Sequence, residues 1–251
     1  MTNVGAVSGP CEKISVKEVK EAIAKMKSSK AAGPSGVVAD MVKAAGDVGA
    51  EWMTEVCNAV VKDGKIPEEW SKSWMVNVYK GKGDALVCGS YRGIKLLEHA
   101  MKIMERVIEV RVRIIVEIYN MQFGFMAGKG TTDAIFVVRQ LQEKYLAKKK
   151  DLWMAFVDLE KAFDRVPRQV VCWALRSLGV DEWIVSVIKA MYEEATTAVK
   201  IDGRENKTFG VRVGVHQGSV LSPLLFIIVL EALSREFYIN IKKLKLKTKN
   251  I

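Results

Sequence analysis

Apolar residues recur at helical spacing along much of the chain and alternate in only a few places. Val16, Val19, Ile23 and Met26 lie about one turn apart, which predicts an amphipathic helix. Ser15 and Glu18 precede it with the S-x-x-E spacing of a capping box. Residues 28–36, SSKAAGPSG, end it with small residues, two glycines and a proline. Further helices are expected over residues 37–45 and 51–63, the latter broken at Lys65-Ile66-Pro67. Residues 70–79 alternate enough for a strand, and residues 80–84, KGKGD, form a turn or loop. Residues 96–119 carry Ile103, Val107, Val110 and Ile114 on one face of a long helix. Gly124, Gly128 and Gly130 mark a loop, and residues 132–146 form another amphipathic helix.

The second half is mixed. Residues 153–158, WMAFVD, are nearly all apolar and end in a carboxylate, which predicts a buried strand. Residues 168–178 read as a helix with Gly179 just past its end. Asp181 is placed to cap a helix running through residue 192. Residues 198–201 and 208–213 fit a hairpin across Asp202-Gly203. Ser222 and Pro223 open a last helix as N-cap and first helical residue. Residues 238–251 show no dependable amphipathic period. Helices first and a strand–helix–hairpin–helix order afterwards predict an α+β fold.

At 251 residues the chain is long enough for a sizeable core without a disulfide or metal staple. Its 49% hydrophobic and 27% charged composition excludes a wholly disordered, collagen-like or mucin-like protein. Net charge is +10, which favours a polyanionic partner. Residues 239–251 hold five lysines and no acid, so half of that excess lies in the tail. Cys11, Cys57, Cys88 and Cys172 are far apart, and His99 and His216 are the only histidines, so a zinc site is not expected. The first residues lack the apolar core of a signal peptide, and the run from Leu221 to Leu233 is too short and interrupted to span a bilayer. A soluble intracellular protein with free thiols is the expectation.

Two motifs fail on inspection. Residues 123–132, FGFMAGKGTT, lack the spacing of a phosphate-binding P-loop. Residues 214–219, GVHQGS, lack the glycine that a serine nucleophile elbow needs. The three lysines at 148–150 suit a solvated helix end. Asp158 is more suggestive, because a carboxylate ending a buried strand needs a partner. A hard cation is one such partner, and capping of the turn that follows is the other.

Seven segments taken together narrow the choice. They are KAAGPSG (30–36), IPEEW (66–70), YKGKGD (79–84), SYRGIKLLEHAMKIMERVIEVRVR (90–113), QFGFMAGKGTTDAIF (122–136), FVDLEKAFDRVPR (156–168) and GVHQGSVLSPLLF (214–226). In this order they resemble the reverse transcriptase domain of non-long-terminal-repeat (LINE-like) retrotransposons. The resemblance implies a right-hand polymerase: a helical N-terminal region (1–73), fingers (74–150), a partial palm (151–237) and a basic tail outside the family pattern (238–251), with the thumb absent. It implies RNA template, DNA primer and deoxynucleoside triphosphates as partners, magnesium as cofactor, and no membrane. Asp158 takes the metal-binding and catalytic position, helped by the carbonyl of Leu159. Arg92 and Lys80 are implied for the triphosphate, and Ala162, Phe163, Gln217 and Gly218 for the nucleotide. Phe163 falls at the aromatic gate beneath the sugar, and a core role is the competing reading. Asp164 is expected to hydrogen-bond locally rather than to hold metal.

The departures count as much as the matches. Met126, Ala127, Lys129 and Gly130 replace the usual Arg, Pro, Arg and Ser of the fingers loop. No Ala-Asp-Asp follows the last helix within the 251 residues. Two-metal phosphoryl transfer needs several carboxylates to hold ions about 3.5–4 Å apart. The expectation is a polymerase fragment, truncated before that motif and inactive alone. A non-catalytic nucleic-acid-binding protein and a decayed remnant are the alternatives.

Overall fold

The structure, a computed structural model, describes residues 4–201 and 204–248. The N-terminal region is helical: α1 (Val16–Ala24), α2 (Ala39–Ala44), α3 (Gly46–Asp63) and a single turn, α4 (Glu68–Ser71). The capping box forms as its sequence predicts. Ser15 Oγ accepts from the Glu18 N–H, and Glu18 Oε2 accepts from the Ser15 N–H. Arg111 then locks this region down, its guanidinium donating to Glu18 and to the carbonyls of Glu12 and Lys13.

The strand expected over residues 70–79 is β1 (Lys72–Tyr79). It pairs antiparallel with β2 (Tyr91–Leu97), so the long helix begins only at His99 as α5 (His99–Ile115). Residues 91–97, YRGIKLL, do not carry the helical stripe of the stretch after them. β2 buries little beyond Leu97 and is held by its seven-residue register with β1. On α5, Met101, Met104, Ile108 and Val112 form a buried stripe.

α6 (Thr131–Ala147) follows the glycine loop, and none of its residues is buried. Next come α7 (Ala162–Arg165), α8 (Arg168–Ser177) and α9 (Glu182–Glu193). Gly179 closes α8 in a Schellman motif: its φ is +82°, its N–H donates to Arg176 O, and Val180 N–H donates to Leu175 O. Asp181 takes the N-cap position of α9, but its side chain makes no capping bond.

β3 (Thr196–Ile201) runs parallel to β1 and pairs antiparallel with β4 (Arg204–Glu205) and β5 (Phe209–Gly210). The expected hairpin of residues 198–201 with 208–213 forms only in part: the returning arm is split between β4 and β5, residues 211–213 are not strand, and Asp202-Gly203 lies outside the described residues. The sheet order is β2-β1-β3-β4, with β5 also on β3. The chain is thus mixed α and β.

The last helix, α10 (Ser222–Thr248), runs well into the segment that shows no amphipathic period. That segment has no Gly or Pro through Thr248 and is rich in Leu and Lys, both good helix formers. One core joins α1, α3, α5, α8, α9 and the first turns of α10. Among the described residues, no helix is long and apolar enough to cross a membrane. All four cysteines are free.

The strand expected at residues 153–158 does not form. Residues 151–159 have no regular structure, and Trp153 and Phe156 are 91% and 83% exposed. An apolar run becomes a buried strand only where a neighbouring strand takes up its N–H and C=O groups. No described strand pairs with it.

Candidate nucleotide site

The loop between β5 and α10 is seated by two glycines. Gly214 has φ +82°, and a Cβ there would lie 2.6 Å from the carbonyl oxygen of Asp164. Its N–H donates to Val166 O at 2.9 Å, and Val215 N–H donates to Phe163 O at 2.8 Å. Gly218 has φ +111°, and a Cβ there would meet Lys95 O at 2.5 Å. Lys95 N–H donates to Gln217 O at 2.8 Å. The loop therefore bridges α7 on one side and β2 on the other, and only glycine allows either approach.

This packing opens a cavity of about 600 Å³ lined by Arg92, Phe163, Gln217 and Gly218 among others. Leu159 and Ala162 complete the set of expected site residues found on its wall. Three segments remote in sequence thus meet at one place. Phe163 is half-buried there, stacked on Phe226 at 4.9 Å and edge-on to Phe125 at 6.1 Å. It packs against the core and lines the cavity at once. Gln217 Nε2 donates to both carboxylate oxygens of Asp164, at 2.9 and 3.0 Å. Asp164 is thus engaged by hydrogen bonds, but from a residue remote in sequence rather than locally.

The remaining expected site residues stand apart. Lys80 lies in the β1–β2 turn, where its Nζ donates to Gly89 O at 2.7 Å. Asp158 does not line the cavity; it is exposed and has no hydrogen-bond or ion-pair partner among the described residues. Without a strand beneath it, nothing aims its carboxylate. Among the described residues no group of three His, Cys, Asp or Glu side chains is placed to hold a metal. The described residues do not fit a two-magnesium centre.

The electrostatics favour an anion at the cavity. Arg92 and Lys161 are on its wall, and no Asp or Glu is. Behind it sits Lys95, whose ammonium burial and nearby Arg168 push down to about 8, against the pull of Asp164. Burial, with Lys95 and Arg168 close by, holds His216 well below the usual imidazole range. His216 is therefore a neutral ring at ordinary pH, packed on Tyr192 at 4.5 Å.

Three residues here were not singled out by motif. Lys95 sits on β2, a strand that no period in the sequence announces. Phe125 has φ +56° in the glycine loop, a conformation that propensity does not signal. Glu105 is an acid on the apolar stripe of α5 beside Met101, Met104 and Ile108, and that placement is its signal.

Residues 78–246 match the family model for reverse transcriptase (RNA-dependent DNA polymerase). The chain belongs to the reverse transcriptase family. It is 29% identical to the RNA-directed DNA polymerase from mobile element jockey of Drosophila melanogaster, over 88% of this chain and 24% of the relative. It is 31% identical to a probable RNA-directed DNA polymerase from transposon X-element of the same fly, over 83% of this chain and 23% of the relative. It is 28% identical to a Pol polyprotein from the type-1 retrotransposable element R2 of Popillia japonica, over 68% and 24%. The chain spans about a quarter of the length of these relatives. The resemblance to non-long-terminal-repeat reverse transcriptases, read from the seven segments, is borne out.

Proposed function

We propose that the chain supplies the nucleotide-facing part of a retrotransposon RNA-directed DNA polymerase, and that these 251 residues alone bind deoxynucleoside triphosphates without joining them. The carrying observation is the cavity that gathers Arg92, Ala162, Phe163, Gln217 and Gly218. In this reading residues 74–150 are fingers and residues 151–237 a partial palm. Arg92 meets the triphosphate, with Lys80 reaching it from the β1–β2 turn. Phe163 lies beneath the sugar, where a ring leaves no room for a 2′-OH. Gln217, steadied by Asp164, presents its amide to the nucleotide, and Gly218 lets the backbone come close.

Asp158 keeps the metal-binding position in this reading, with the carbonyl of Leu159 beside it. Magnesium supplies charge neutralisation at the phosphates in this class of chemistry. One exposed carboxylate does not hold two such ions, which supports binding without catalysis. RNA template and DNA primer are the polymeric partners proposed.

Equilibrium dialysis with a labelled deoxynucleoside triphosphate tests the reading. Saturable binding is expected, weakened about tenfold or more by Arg92→Ala, since a charge-assisted contact contributes about 1.5–3 kcal/mol. Absence of saturable binding, or indifference to Arg92→Ala, contradicts it. The alternative, nucleic-acid binding alone, predicts salt-dependent RNA binding with no nucleotide binding.

A further inference from the structure

Glu105 is 1% exposed, and its two carboxylate oxygens take separate donors. Ser219 Oγ donates to Oε1 at 2.6 Å, and Val220 N–H donates to Oε2 at 3.0 Å. Ser219 Oγ in turn accepts from Leu221 N–H at 3.1 Å and Ser222 N–H at 3.2 Å, the amides that open α10. Ser222 Oγ bonds Tyr192 Oη at 3.1 Å. Glu105 thus ties α5 to the residues that follow Gly218, while Lys95 and Asp164 hold Gln217 itself.

A buried carboxyl is expensive, and burial raises its proton affinity against the opposing pull of Ser219, Val220, Lys102 and Arg106. An apolar side chain at that point on the stripe would pack without this cost. What only an acid supplies is two acceptors at once, aimed at a hydroxyl and an amide one residue apart. Those donors border the turn that lines the cavity.

We propose that Glu105 is the positioning residue of the Gln217-Gly218 turn, fixing from inside the core where the Gln217 amide stands at the nucleotide cavity. The part that concerns nucleotide rests on the polymerase reading above. The fixing of the turn does not. Glu105 acts on the Ser219 hydroxyl and the Val220 N–H and never reaches the cavity itself.

Glu105→Gln separates this role from bulk stability. The amide keeps one acceptor oxygen and the volume of the side chain but cannot serve both donors. Amide hydrogen exchange on the full chain reads the result. Exchange at residues 218–222 is expected to accelerate about fivefold in Glu105→Gln and further in Glu105→Ala, as one and then both bonds are lost. Residues 103–108 of α5 should stay protected in Glu105→Gln. Unchanged exchange at 218–222 in both variants overturns the proposal. Equal loss of protection across α5 and α10 also overturns it, by showing a merely structural role.

Nucleotide affinity adds a readout that packing does not move. Glu105→Gln and Gln217→Ala should weaken binding by similar factors, and the double variant should be no weaker than Gln217→Ala alone. Multiplying factors would show that Glu105 does not act through Gln217, and overturn the proposal. A wild-type chain that binds no nucleotide refutes the polymerase reading, and the exchange pattern still decides whether Glu105 fixes the turn.

Discussion

Gly218→Ala tests the close approach of the cavity loop to β2. The backbone at Gly218 has φ +111°, a region that residues with a Cβ rarely enter. Holding alanine there costs about 1–3 kcal/mol in backbone strain. The added Cβ would stand 2.5 Å from Lys95 O, so β2 and the loop must separate. Separation weakens the 2.8 Å bond from Lys95 N–H to Gln217 O, worth about 1 kcal/mol. Together these give a loss of about 2–4 kcal/mol, a large part of a typical stability of about 5–15 kcal/mol. Gly128→Ala is the control. Its φ is +73°, and no atom lies within 4 Å of its would-be Cβ. It carries strain without collision and should cost about 1 kcal/mol. Urea unfolding followed by tryptophan fluorescence measures both. At this chain size each kcal/mol lowers Tm by about 2–4 °C, so a thermal melt gives an independent check. Equal losses in the two variants, or a smaller loss at Gly218, would refute the account of the loop.

Other outcomes follow from the rest of the structure. The Arg111 hydrogen bonds hold Glu18 at about 2, below its ordinary 4.5, with its own burial opposing and Ser15 assisting. The stabilisation is therefore full above pH 4.5 and fades as pH falls toward 2. Discounted for partial exposure it amounts to about 1–2 kcal/mol, and urea midpoints of wild type and Glu18→Gln should converge over that window. A difference that persists below pH 2 would contradict this. Brief chymotrypsin digestion should cut first at residues 153–156, because Trp153 and Phe156 are exposed on irregular backbone. First cleavage inside α5 would show that residues 151–159 are better protected than this structure has them. Ile108→Ala empties part of the buried stripe and should cost about 2–5 kcal/mol in urea unfolding. A loss below about 1 kcal/mol would mean that α5 is not central to the core.

The sequence announces elements whose cause is local. The Ser15–Glu18 box, the Gly179 cap and the α10 start each depend on a few neighbouring residues, and each lies where its signal does. β2 escapes because it buries little beyond Leu97, so no alternating apolar face marks it, and what holds it is its pairing with β1. Residues 153–158 fail in the opposite way. Their apolar run is that of a buried strand, but composition cannot say whether a partner strand is present. The site divides similarly. Family motifs single out Arg92, Phe163 and Gln217, and the fold brings them to one cavity. Glu105 and Lys95 belong to the site through long-range contacts, which spacing along the chain does not encode.

As proposed, these 251 residues are a nucleotide-binding part of a reverse transcriptase without a complete catalytic centre. Primer extension on an RNA template, with the purified chain, magnesium and deoxynucleoside triphosphates, tests it most directly. The account predicts no extended primer under conditions where the chain binds nucleotide. Robust extension that Asp158→Ala abolishes would contradict it.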